Sequence, residues 1–174
     1  IRDYKVTGVQ TCALPISCRR GYGAVMARGR WTREQADDWA ARSGWRLGCN
    51  FTPSTAGNQL EFWQADTFDP VTIDRELGWA ADSLGMNTVR VYLHDILYAN
   101  DADGFLARLD TFLSIADGHG IASVPVLFDG VWNTRPEPGP QPQPRPQLHN
   151  SVWVQGPGAR ILYDSAAWAG LRPY

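Results

Sequence analysis

Arg90 sits inside the central of three apolar runs, and Asn50, His94, Asp95 and Asp129 stand at or near the ends of those runs. In sheets of parallel strands, the carboxyl ends carry the ligand-handling groups. Arg90 is a permanent cation, and a cation beside a carboxylate keeps that carboxylate ionised, as a nucleophile requires. His94 changes protonation near neutral pH, and equally serves as a cap or core side chain. Asn50 offers both a donor and an acceptor to a hydroxyl group. Asp129 adds a third strand-end polar group.

Flat aromatic surfaces accompany them. The chain has eight tryptophans. Trp63, Trp132 and Trp153 fall in the segments between apolar runs, where an indole can line a groove as well as fill a core. His149 and Asn150 follow a proline-dense stretch and can close such a groove.

The elements that must hold these groups follow from punctuation and period. The central run Thr88–Leu93, within Gly85–Asp95, reads as one buried parallel strand, because a strand covered on both faces is nearly continuous in apolar residues. Trp45–Phe51 and Ile121–Phe128 read as the strands beside it, although Pro125 removes a ladder donor from the latter. Thr32 and Gln35 form a capping box for a helix over residues 33–42, with Trp31 placed to staple onto Ala36. Asp69-Pro70 starts a second helix with an apolar stripe of Ile73, Leu77, Ala80, Ala81 and Leu84, stopped at Gly85. A third, over residues 103–119, carries Phe105, Leu106, Leu109, Phe112, Leu113 and Ala116, and Gly120 ends it. Residues 52–68 and 94–102 read as long loops. Residues 136–147 are rich in proline and favour an extended, ordered loop. Asp164-Ser165 caps a last short helix through Trp168 and Leu171.

Length and composition narrow the function classes. The 174 residues, 44% apolar, suit one domain with a real core. A net charge of -2 gives no reason to expect nucleic acid or an anionic membrane surface. No apolar run approaches the roughly 20 residues of a membrane span. Cys12, Cys18 and Cys49 have neither disulfide nor zinc spacing, and no metal or cofactor is implied. Residues 1–17 lack periodicity and resemble the translated read-through of a sequencing adapter, so they are set aside from the fold. Residues 18–30 are basic and glycine-rich, and read as a loop or disordered stretch.

Strands alternating with helices predict an α/β fold with a parallel sheet and right-handed crossovers. A doubly wound sheet would carry a glycine-rich phosphate turn after its first strand. Here Thr52-Pro53-Ser54 follows instead. A partial (β/α)8 TIM barrel, its first three strands with their helices, fits better. A complete barrel needs about eight strands and roughly 250 residues, so residues 18–174 are expected to be the N-terminal part of a longer domain, marginal in isolation.

Three ordered blocks, Gly48–Ser54, Asn58–Pro70 and Asn87–Asp95, resemble bacterial glycoside hydrolases of the cellulase-like barrel group, often described as 1,4-β-xylanases. The likeness runs from about Trp31 to the end and includes Val126–Asp129, His149-Asn150-Ser151 and Trp153-Val154-Gln155. It implies a retaining glycosidase acting on β-linked carbohydrate such as xylan or cellulose. Such enzymes use two glutamates about 5–5.5 Å apart, one as acid and one as nucleophile. The family carries them after strands four and seven, so they are expected beyond residue 174. Glu34, Glu61, Glu76 and Glu137 are poor candidates. The resemblance gives Arg90 a role beside the nucleophile, and Trp63, Trp132 and Trp153 a role under sugar rings. Relatives often carry a histidine where Asp129 stands. Two rivals remain: a non-catalytic carbohydrate-binding or scaffold barrel, and a nucleotide-binding α/β domain.

Overall fold

The structure, a computed structural model, describes residues 30–174. The expectations for residues 1–17 and 18–29 lie outside the described residues. The chain divides into two units, Ile1–Arg42 and Ser43–Tyr174.

Helix α1 (Arg33–Ser43) has the capping box that its sequence announces. The Gln35 amide donates to Thr32 Oγ1 at 3.2 Å, and the Thr32 amide donates to Gln35 Oε1 at 2.9 Å. Trp31 meets Trp39 edge-on at 6.3 Å. No residue of α1 is buried.

The second unit is mixed α/β. Strands β1 (Gly48–Asn50), β2 (Thr88–Tyr92) and β3 (Ala122–Val126) form one parallel sheet in the order β1-β2-β3. Helix α3 (Pro70–Asp82) crosses from β1 towards β2, and α5 (Ala102–Gly118) from β2 to β3. Asp69 accepts the Thr72 amide at 3.0 Å, and Pro70 opens α3 without losing a helical bond. Ile73 and Leu77 are fully buried, but Leu84, expected on the same stripe, is 61% exposed. It lies beyond the helix, in the turn completed by Gly85 at φ 65°. Helix α5 ends in a Schellman turn: the Ile121 amide bonds the Ala116 carbonyl, the Gly120 amide bonds that of Asp117, and Gly120 takes φ 69°.

Helices α3 and α5 pack against each other and against one face of the sheet, where Val89, Val91, Ile73, Leu77, Phe105, Phe112 and Ala116 share the core. The opposite face carries the register row Asn50, Arg90, Val124, all exposed. Pro125 is accommodated because β3 is an edge. The Ala122 amide points at β2, bonding the Asn87 carbonyl, so by alternation the Pro125 nitrogen faces the open side.

Two loops expected from sequence contain short helices. Helix α2 (Gln59–Trp63) lies in the first and α4 (Asp95–Asn100) in the second. From Asp129 to Gly158 the chain forms a strap with two isolated bridges, Asp129 with Gly156 and Asn133 with Val154. A short helix α6 (Ala159–Leu162) follows. The last helix takes the 3-10 form over Ala167–Leu171, after Asp164 accepts the Ala166 amide.

Buried amides around α2 fix the strap. Asn58 caps α2 through the Glu61 amide at 3.0 Å, while its Nδ2 donates to the Val152 carbonyl and to Gln141 Oε1, both at 2.9 Å. Gln59 Nε2 donates to the Val154 carbonyl at 3.2 Å. Gln64 bonds both the amide and the carbonyl of Gly139. Replacing Asn58 by Ala is therefore expected to cost about 1–3 kcal/mol, since one buried cap and two long-range bonds vanish together. Hydrogen exchange measured by mass spectrometry should show protection lost over residues 139–155 and retained in α3 and α5.

Candidate functional site

The exposed face of the sheet forms one cleft of about 460 Å³, whose lining includes Arg46, Asn50, Thr88, Arg90 and Val124. Asn50 and Arg90 are neighbours in register, so the β1–β2 pairing places an amide beside a guanidinium. Arg90 lies over the Tyr92 ring, 4.8 Å from its centroid. That contact holds the cation by its flat face against an aromatic quadrupole. Two arginines and no carboxylate line this cleft among the described residues.

A second cleft of about 300 Å³ lies within the strap. Trp132, Arg145, His149, Asn150 and Trp153 are on its walls. Tyr92 joins the two regions: its ring meets Trp153 edge-on at 5.2 Å. Arg90, Tyr92 and Trp153 thus form a continuous chain of contacts from the sheet to the strap. Trp132 sits at φ 74° and Asn150 at φ 50°. A bulky residue in this left-handed region costs on the order of 1–3 kcal/mol and persists only where neighbours over-determine it. Those neighbours are the bonds of Asn133: its amide to the Trp153 carbonyl at 3.1 Å, and its carbonyl to the Gln155 amide at 2.8 Å.

Other residues expected at the site are placed elsewhere. Trp63 is fully buried; its ring stacks on Phe62 at 4.1 Å and its indole N–H donates to the Tyr92 carbonyl at 2.8 Å. It has no face left for a ligand and acts as a core residue beneath β2. His94 is also fully buried. Its Nδ1 accepts the Ile96 amide at 3.2 Å, capping α4, so Nε2 carries the proton and donates to the Gln155 carbonyl at 3.0 Å. His94 therefore locks the strap onto the end of β2. Asp129 is half-buried and follows β3; its backbone bonds Gly156 in both directions, and Gly156 in turn packs near His94.

Sequence reasoning overlooked Tyr92 and Arg145. Tyr92 was within reach of the pattern, since it stands two residues from Arg90 on the same strand and therefore shares its face. Arg145, inside the proline-dense stretch, has no local signal. Comparison with protein-family models, with curated proteins and with solved structures found no match.

Burial holds His94 below its ordinary value of 6.5, against the opposing pull of Asp95. Burial likewise pushes Asp95 up. Its Oδ1, 3.3 Å from His94 Nδ1, has no hydrogen-bond partner among the described residues. The two act on stability with opposite signs. The unfolded chain protonates His94 before the folded chain does, so that contribution is present above the unfolded value and is lost as pH falls from there through the lower folded value. The raised Asp95 favours the fold at low pH and loses that contribution as pH rises through its folded value. Urea unfolding from about pH 7 to about pH 5 isolates the His94 contribution as the difference between the wild-type chain and His94→Gln: the stability of the wild type relative to the variant should fall with pH, by at most about 1.4 kcal/mol per pH unit.

Proposed function

We propose that residues 43–174 are the opening β/α units of a (β/α)8 barrel of the cellulase-like glycoside hydrolases, and that their exposed sheet face and strap hold a β-linked polysaccharide. The observation that carries this reading is the asymmetry of the sheet. Consecutive crossovers place α3 and α5 side by side on one face, while the other presents Asn50, Arg90 and Val124 bare. A barrel has that arrangement, with helices outside and polar strand-end groups gathered within. The first strands of a doubly wound sheet can wind the same way, but the turn after β1 is Thr52-Pro53-Ser54 and has no glycine for a phosphate cradle.

The chemistry assigned here is holding, not cleavage. A retaining glycosidase needs two free carboxyl groups across one bond. Glu61 accepts the Gly57 amide at 2.7 Å, and Glu76 is engaged by the amide and hydroxyl of Ser54. Glu34 stands on α1 and Glu137 in the exposed strap. None lines either cleft. The acid and the nucleophile are assigned to later strands of the parent domain, with Arg90 placed to keep the nucleophile ionised. No cofactor or metal enters this scheme.

Titrating the purified chain with xylohexaose and cellohexaose, with tryptophan fluorescence and new reducing ends as readouts, tests the proposal. Saturable, weak binding that falls on Arg90→Ala, without hydrolysis, is expected. Turnover of xylan, cellulose or mannan abolished by Glu61→Gln would contradict it. So would micromolar nucleotide binding with no response to either oligosaccharide.

A further inference from the structure

We infer that the cleft within the strap is a subsite for an acidic sugar, a uronic acid carried as a branch on the β-linked chain; this rests on the carbohydrate reading above. The cleft has two indoles on its walls, Trp132 and Trp153. A pyranose ring packs its C–H face on such a surface, and the burial supplies affinity. His149 stands edge-on to Trp132 at 6.0 Å, so the indole, half exposed, is braced on one side and free on another. The volume, about 300 Å³, is at the small end for a ligand site and suits one ring rather than a chain.

Charge decides which ring. Arg145 and His149 are on the wall, and no aspartate or glutamate is. The Arg145 guanidinium has no ion pair among the described residues; its backbone amide is held instead, by Ser151 Oγ at 2.7 Å. A cation with no carboxylate of the described residues paired to it is available to one on a ligand, and the planar fork of arginine fits a carboxylate with two parallel bonds. A neutral pyranose would use the indoles and leave that cation unanswered.

Position makes it a branch site. Trp153 touches Tyr92, and Tyr92 lies under Arg90. Tyr92 itself is buried and lines neither cleft, but its two contacts, 4.8 and 5.2 Å, bring the Arg90 guanidinium and the Trp153 ring close together, so a substituent on a backbone held at Arg90 reaches Trp153. The strained backbone of Trp132 fits the same purpose, since the strap's hydrogen bonds hold that indole in place before any ligand arrives.

Three ligands separate the possibilities: xylotetraose, xylotetraose bearing one glucuronic acid branch, and the same branched compound with its carboxyl group reduced to the alcohol. Calorimetric titration of the purified chain should give an affinity for the acid about tenfold above that for its reduced form. The ratio should collapse towards one in Arg145→Gln, whose circular dichroism and melting should match those of the unaltered chain. Equal affinity for the acid and the reduced form would overturn the inference and leave the carbohydrate reading standing. No binding of any of the three would overturn both. A preference that survives Arg145→Gln but disappears in Arg46→Gln would place acid recognition in the sheet cleft and overturn the inference.

Discussion

Three buried amides around one short helix organise this molecule. Asn58, Gln59 and Gln64 belong to or flank α2, five residues long, yet each reaches a backbone 75 to 95 positions away. A side-chain amide left alone in an apolar interior is costly, so these three are stable only where the strap meets them. The dependence is mutual. The strap has no regular secondary structure beyond two isolated bridges, and its carbonyls at Gly139, Val152 and Val154 are satisfied by those same amides. Gln59 Oε1 stays unpartnered among the described residues.

The rest of the architecture follows from that seam. Trp63, on the same helix, drives its indole beneath β2 and bonds the Tyr92 carbonyl, while Arg108 of α5 donates to the Trp63 carbonyl at 2.7 Å. The strand end and the covering helix thereby meet at one residue. At the same end of β2, His94 closes the seam by bonding the Gln155 carbonyl. His94, which looks catalytic by type at a strand end, is committed to holding structure. The groups left free to meet a ligand are Asn50 and Arg90 on the sheet and the aromatic and basic side chains of the strap.

The regular elements were legible in the sequence because their signals are local. Asp69-Pro70 starts α3, and Gly85 and Gly120 turn the chain into the next strand. The expectation that β2 is covered on both faces is not met among the described residues: its burial alternates, and Arg90 stands exposed opposite the core. Helices α2 and α4, of five and six residues, are too short to show a helical period, and their polar flanks resemble loops. The polar appearance of Asn58, Gln59 and Gln64 misleads for a physical reason: their partners lie far along the chain, so nothing nearby marks them as interior. The same blindness made Trp63 look like a groove residue and hid Arg145 in a run of prolines. For Asn50 and Arg90, strand position sufficed.

The account stands on Trp132 and Trp153 being presented to a ligand while Trp63 is locked into the core. Each indole N–H gives its own cross-peak in a nitrogen-15 correlation spectrum, so a titration with branched, acidic xylo-oligosaccharide reads all of them at once. The Trp132 and Trp153 peaks should move together with a single saturation curve, and the Trp63 peak, bonded to the Tyr92 carbonyl, should stay in place. Movement of Trp63 ahead of the other two, or no movement at Trp132 and Trp153 when ligand is in excess, would contradict the account.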